Sequence, residues 1–386
     1  MKILKIMIKN ALRHKLRTSL TILGISVAVI AFIVMRTIIT AWNIGVEAAS
    51  ADRLIVRNSV SFIFPLPVAY REKIGKVDGV NVVSYANWFQ GVYKDKSNFF
   101  ARLAVDHKTF FEVYPEYMIT NDEKAELAKE ISGCVIGRAT AEQFGIKKGD
   151  IVTLEGDIYP GIWDFKVVAI YQPRDKITDA TGMLFRWDYV NQRLEKEDPI
   201  RANEIGWYIV QVNDVNKTAA ISAKIDSYFK NSTNETKTET EKSFNQGFLA
   251  STDAIITAMN VVSYVIIGII ILVLGNTMIM AARERTREYS VLKTLGFSGK
   301  HLTGLILGES MVIASIGAVV GLLLALQLVA GLNQVVPKTI FPVLEVKTIT
   351  IVFAIAAALL VGVIASVFPI HKAINTKIVE GLRFVG

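Results

Sequence analysis

The sequence predicts an α-helical membrane protein: four transmembrane helices with a large α+β extracytoplasmic domain between helices 1 and 2. Three observations lead there. Of the 386 residues 52% are hydrophobic and the mean hydropathy is +0.39, too apolar for an ordinary soluble chain of this length. The apolar residues gather in runs at 18–42, within 251–282, at 302–332 and at 348–370, each long enough for the roughly 20 helical residues that cross a bilayer core. Positive charge flanks those runs, while the long segment 43–250 is of mixed composition and large enough to fold by itself.

Taken in chain order, residues 1–17 carry Lys2, Lys5, Lys9, Arg13, Lys15 and Arg17 and no acid, with Ile3, Leu4, Ile6, Met7, Ile8, Leu12 and Leu16 between them. That pattern reads as an amphipathic helix on the inner membrane surface, or as the first span continued into the cytoplasm. A cleaved signal peptide is the competing reading of the first run, since "ASA" at 49–51 resembles a cleavage site. The stretch from Ser19 to Met35 is 17 residues, longer than a signal core of about 7–15, which favours a retained anchor. Arg36 lies at its outer end, where a long stem can snorkel to the headgroups.

In 43–250, "RLIVR", "NVVSYANWF", "NFFARLAVD", "DIVTLEG", "DFKVVAIY" and "GWYIVQV" read as strands bounded by Gly, Asp and Pro. "PVAYREKIGKV", "TNDEKAELAKEI", "RATAEQFGI" and "NKTAAISAKIDSYFK" read as helices. "NSTNETKTETEKS" at 231–243 is polar enough for a linker, although its alternating Thr favours an edge strand. Cys134 is the only cysteine, so the chain forms no internal disulfide, and a small buried side chain is the expectation.

The second run, with a stalk, spans 251–282, and the fourth ends where the tail 371–386 begins. Between runs two and three lies "ARERTREYSVLKTLGFSGKHL", residues 282–302, with Arg283, Arg285, Arg287, Lys293 and Lys300 against Glu284 and Glu288. The net charge is +6 for 1–17, +3 for this island, +2 for the tail and −3 for 41–250. The positive-inside rule then puts both termini and the island (283–301) in the cytoplasm, and 43–250 and the short loop 333–347 outside. Such a charge distribution also argues against nucleic acid as a partner and for membrane lipids.

Within the island Tyr289, Leu292 and Leu295 follow helical spacing, Glu284 and Arg287 can pair across a turn, and Gly296 is placed to end the helix. A short amphipathic helix follows, whose apolar face docks into headgroups or a partner's groove; a charged loop that only enforces topology is the alternative. The third span carries "GLILG" (Gly304, Gly308) and "GAVVG" (Gly317, Gly321), spacings that let another helix approach closely, or simply background glycine. Glu309 lies about two turns into that span, paired with a neighbouring helix or an inner-surface arginine, or shallow enough to be hydrated. Asn276 in "LGNTM" is a candidate for polar glue between helices.

No G-x-x-x-x-G-K-[ST], H-E-x-x-H or G-x-S-x-G occurs, and His14, His107, His301 and His371 are scattered. Neither an ATPase of that type, nor a metal centre, nor an enzyme site is expected in this chain.

These residues resemble a known family. The segment "ARERTREYSVLKTLGFSGKHLTGLILGESMVIASIGAVVGLLLA" is similar to the hallmark of the MacB/FtsX-like ABC transporter permeases, with its E-R-x-R-E, its K-x-L-G and a later Glu followed by small residues. "NALRHKLRTSLTILGISVAV" and "ALLVGVIASVFPIHKAINTKIVEGLR" resemble the family's first and last spans, and "CVIGRATAEQFGIKKGDIVTLEG" with "FKVVAIY" its periplasmic core domain. The resemblance implies a multi-pass protein of the bacterial inner membrane in which Glu284, Arg285, Arg287, Glu288, Lys293, Leu295 and Gly296 form a cytoplasmic coupling helix docking into a separate ABC ATPase. ATP and Mg would then bind that subunit, with no cofactor on this chain. A second permease copy, as homo- or heterodimer, is implied, and a periplasmic adaptor is left open. Mechanotransmission would move an amphipathic or lipid-linked substrate on the outer side, in an organisation closer to the lipoprotein-release subunits LolC and LolE than to MacB, which carries its own ATPase. An FtsX-like signalling relay that transports nothing is the other reading.

Overall fold

The computed structural model describes residues 15–43, 49–250, 253–336 and 344–379. The basic helix expected in 1–17 falls almost wholly outside the described residues, as do 337–343 of the expected outer loop and 380–386 of the tail. Two compact units are present, one helical and one α+β, the second inserted between the first and second long helices.

Helix α1 (Lys15–Trp42) opens the helical unit. The α+β unit then runs β1 (Arg53–Asn58), β2 (Leu66–Pro67), α2 (Tyr70–Gly75), β3 (Val80–Trp88), β4 (Arg102–Val105), α3 (Phe110–Val113), β5 (Tyr117–Met118), α4 (Asn121–Lys129), β6 (Gly133–Gly137) and α5 (Arg138–Phe144). It continues with β7 (Ile151–Gly156), β8 (Gly161–Pro173), β9 (Met183–Arg186), α6 (Trp187–Glu197), β10 (Glu204–Ile205), β11 (Trp207–Val212), α7 (Thr218–Phe229), β12 (Thr236–Thr240) and α8 (Glu241–Ala250). The helical unit resumes with α9 (Asp253–Glu284), α10 (Thr286–Thr294), α11 (Gly299–Val335) and α12 (Thr348–Asn375).

Ten strands form one mixed sheet in the order β12-β1-β11-β3-β4-β9-β6-β8-β5, with β7 paired to β8, while β2 and β10 make a small ribbon. β8 shows how the residues choose their faces. Trp163, Phe165 and Val167 are buried while Asp164 and Lys166 are exposed, the two-residue alternation of a half-covered strand. From Val167 through Ala169 every residue is buried, because Phe110, Phe111 and Leu127 of α3 and α4 cover the second face. Cys134 is fully buried in β6, where desolvation pushes its thiol well above the ordinary range.

The polar stretch 231–243 forms the edge strand β12. Asp226 of α7 holds it, accepting from Thr236 Oγ1 at 2.8 Å, Thr238 Oγ1 at 2.7 Å and Thr238 N at 3.0 Å. Asp226→Ala is therefore expected to cost about 1–3 kcal/mol and to raise amide exchange selectively over 236–240; unchanged exchange there would show that the β1 ladder alone holds the strand.

In the helical unit, α1, α9, α11 and α12 are long and apolar enough to cross a membrane. Their shared core holds Ile25, Ile33, Leu274, Ile313, Ala358 and Val361. Arg36 donates to Asn260 Oδ1 of α9 at 3.3 Å, a partner that the expectation of snorkelling did not foresee.

Candidate functional site

The charged island folds as α10, a two-and-a-half-turn helix joined to α9 at Arg285. It stops where expected. Gly296 takes φ +87°, the Gly296 N–H donates to Lys293 O, and the Phe297 N–H reaches back to Leu292 O at 3.0 Å. Those two bonds close a glycine-terminated helix end, which a side chain at 296 would strain.

Arg285 organises the joint. It is 7% exposed and faces Glu309, itself 6% exposed, with Nη1 2.7 Å from Oε2, while its Nε lies 3.0 Å from Glu288 Oε2. The acid inside the third spanning helix is thus paired across 24 residues to the start of α10. Glu288, four residues short of Leu292, supplies the i,i+3 pair to Arg285. Lys293 Nζ donates to Ile374 O and Thr376 O at 2.8 Å each, so the far end of α10 is bonded to the last carbonyls of α12.

The apolar face of α10 requires a correction. Tyr289 is 4% exposed and, with Leu292, packs into the core of the spanning helices, where burial pushes its phenol up to about 12. Tyr289 is thus turned inward against the chain's own spans, and Leu292 is partly buried against the same core. Leu295 is 70% exposed, and Val291, Phe297, Glu284 and Arg287 are also on the exposed side. Spacing alone grouped Tyr289, Leu292 and Leu295; the helix ends between them, at the turn through Leu295 and Gly296, and the last of the three swings outward.

The span glycines divide in the same way. A Cβ at Gly317 would stand 2.7 Å from Ile25 Cγ2, and one at Gly321 2.8 Å from Ser26 O and Val29 Cβ. Helix α1 therefore lies directly against that stripe, and Ser26 Oγ donates to Gly317 O at 3.0 Å. Gly304 has nothing within 4 Å of its Cβ position, and Gly308 is only half-buried. Gly304 therefore meets no neighbouring helix among the described residues. Asn276 is on the exposed side of α9 without a hydrogen bond among the described residues, so it glues none of these helices together. Ser310 Oγ also donates across two spans, to Gly362 O at 2.5 Å, a bond the sequence does not mark, since a serine beside a glycine-lined helix is too common a signal.

The α+β unit has two features that sequence reading missed. Arg53 at the start of β1 lies 2.8 Å from Glu241 at the start of α8 and 2.8 Å from Glu116, over the ring of Tyr114, and Glu241 also accepts from Ser50 N and Tyr114 OH. A cavity of about 900 Å³ is walled mainly by Phe62, Trp88, Leu103, Trp207 and Phe244, with Glu204 among its few polar groups. Burial raises the Glu204 carboxyl above its usual range. Only a short motif of fixed spacing would have betrayed either, and neither has one.

Residues 18–228 match the MacB-like periplasmic core domain, and residues 260–378 match the FtsX-like permease C-terminal region. The chain belongs to the MacB/FtsX-like permease family. This permease is 23% identical over 403 residues to an uncharacterized ABC transporter permease of Methanocaldococcus jannaschii, covering 97% of this chain and 96% of that one. It is 25% identical over 270 residues to an uncharacterized ABC transporter permease protein of Mycobacterium tuberculosis, covering 69% of this chain and 30% of the other. To a macrolide export ATP-binding/permease protein MacB of Campylobacter jejuni it is 26% identical over 223 residues, covering 56% and 34%. The chain thus spans about a third of the length of the last two relatives. Among solved structures, the periplasmic region of MacB from Actinobacillus actinomycetemcomitans is similar at 12% identity and a TM-score of 0.37, covering 53% of this chain and 95% of that one. The permease is a multi-pass membrane protein with its α+β extracytoplasmic domain between the first two spans.

Proposed function

We propose that this permease is the membrane subunit of an ABC transporter in which a separate ATPase subunit, binding ATP and Mg, moves the extracytoplasmic domain by mechanotransmission. Both termini and α10 are assigned to the cytoplasmic side of the inner membrane, a reading that the basic flanks of the spans support. The permease works as a dimer, homo- or heteromeric, and its substrate is amphipathic or lipid-linked. The apolar cavity of about 900 Å³ in the outer domain has the size and lining for such a molecule.

One observation carries this reading: the buried Arg285–Glu309 pair, which ties a short surface helix directly to a membrane span. A helix pushed at its exposed side, through Glu284, Arg287 and Leu295, then displaces α11 through Arg285 and α12 through Lys293. Tyr289 and Leu292 hold α10 against the spans from within.

Leu295→Asp and Arg287→Glu are expected to weaken association with the ATPase at least about tenfold, the equivalent of about 1.4 kcal/mol, without lowering the thermal unfolding temperature of the permease alone. Co-purification and permease-stimulated ATP turnover in proteoliposomes are the measurements. If both survive both substitutions, α10 is not the docking element. Stimulation of that turnover by amphipathic compounds, with no response to an added cell-wall hydrolase, separates transport from signalling relay.

A further inference from the structure

Arg102 opens β4 in an unusual setting. It is 3% exposed, on the strand face that carries Ala104 into the main core, yet it forms no ion pair among the described residues. Arg53, buried to the same degree, has two carboxylates at 2.8 Å. Arg102 has only Asn98 O, at 2.8 Å from Nη2, and the face of Phe100 at 4.0 Å, and its Nε is buried with no partner. Burial pushes its pKa down to about 10, so it still carries its charge at neutral pH. A buried cation without a counter-ion is costly, and the cost falls when an anion joins it.

A cavity of about 260 Å³ opens onto this residue. Trp88, Phe99 and Gly91 form part of its wall, and the exposed acids Asp95 and Asp157 line it as well. Asp95 is engaged by Ser97, whose N and Oγ both donate to its Oδ1. Lys96 lines the cavity beside these two acids, so apart from Arg102 the wall carries a net charge of −1, which selects against a multiply charged anion, and aromatic walls select for an apolar body.

We propose that this cavity binds a small monocarboxylate with an apolar or aromatic body, its carboxylate paired with Arg102. The site stands apart from the coupling reading: it is in the outer domain and requires neither ATPase nor transport. Thermal unfolding of the full chain in detergent tests it, with phenylacetate, inorganic phosphate and phenethylamine as probes. Saturating phenylacetate is expected to raise the unfolding temperature of the outer domain by several degrees, and phenethylamine to leave it unchanged. A rise with inorganic phosphate instead of phenylacetate overturns the carboxylate assignment, and no rise with either overturns the site. Arg102→Met keeps the stem and removes the charge. It should abolish the phenylacetate shift and, without ligand, unfold no lower than the unsubstituted chain. A preserved shift, or a large drop in the unliganded unfolding temperature, makes Arg102 a structural residue and overturns the proposal.

Discussion

Arg285→Ala will lower the stability of the helical unit by about 1.5–3 kcal/mol, because it removes a charge-assisted bond from Glu309 inside a spanning helix. The double replacement Arg285→Met with Glu309→Leu will recover most of that loss, since two apolar side chains suit the site better than a carboxylate deprived of its guanidinium. Stability and coupling then separate. In the double variant the fold is restored while the bond between α10 and α11 stays absent, so ATP turnover stimulated by the permease is expected to remain low. Thermal unfolding in detergent and turnover with the ATPase are read side by side. If Arg285→Ala unfolds like the unsubstituted protein, the pair contributes nothing to the joint, and the proposed route from α10 to the span fails with it.

A second large effect is expected where α1 meets α11. Gly321→Ala puts a methyl 2.8 Å from the backbone oxygen of Ser26 and from Val29 Cβ, atoms that move only if the helix moves. Overpacking of this kind costs about 1–3 kcal/mol. Gly317→Ala presses on Ile25 Cγ2 at 2.7 Å and on Ile25 Cβ at 2.8 Å, the latter fixed to the helix backbone, and should cost a similar amount. Gly304→Ala meets open space and is expected to stabilise the helix by about 0.5–1 kcal/mol. Equal unfolding temperatures for Gly321→Ala and Gly304→Ala would disprove the close approach of α1 to α11.

The spans were readable because a run of apolar residues long enough to cross a bilayer has few other uses, and most strands because Val, Ile, Tyr and Phe cluster between turn residues. Helix α6 was not. Its buried Trp187, Val190 and Leu194 stand at i, i+3 and i+7, the spacing of one helix face, but that face is only about two turns long. β6 is five consecutive buried residues, and continuous burial carries no alternation to distinguish a strand. In the candidate site, the existence, charge and glycine stop of the short helix were legible from spacing. Which side of it faces home was not, because Tyr289 and Leu295 are equally apolar on paper and differ only in what the rest of the chain sets beside them. The same holds for Gly304 against Gly321 and for Asn276: a periodic pattern marks a stripe on a helix, and only the packing of four helices decides which stripes meet.

The pairing of β1 with β12 has a mechanical consequence. Leu54 opposes Thr240 and Asn58 opposes Thr236, so the chain enters and leaves the outer domain at the same end of one antiparallel ladder. A load that carries both connections together leaves these two strands in register and passes to the rest of the sheet. A load that spreads them opens it like a zipper, one rung after another, beginning at Arg53 and Glu241. The ion pair at that mouth acts as a latch: the domain is stiff to lifting and compliant to spreading, with its first point of yield set by two side chains.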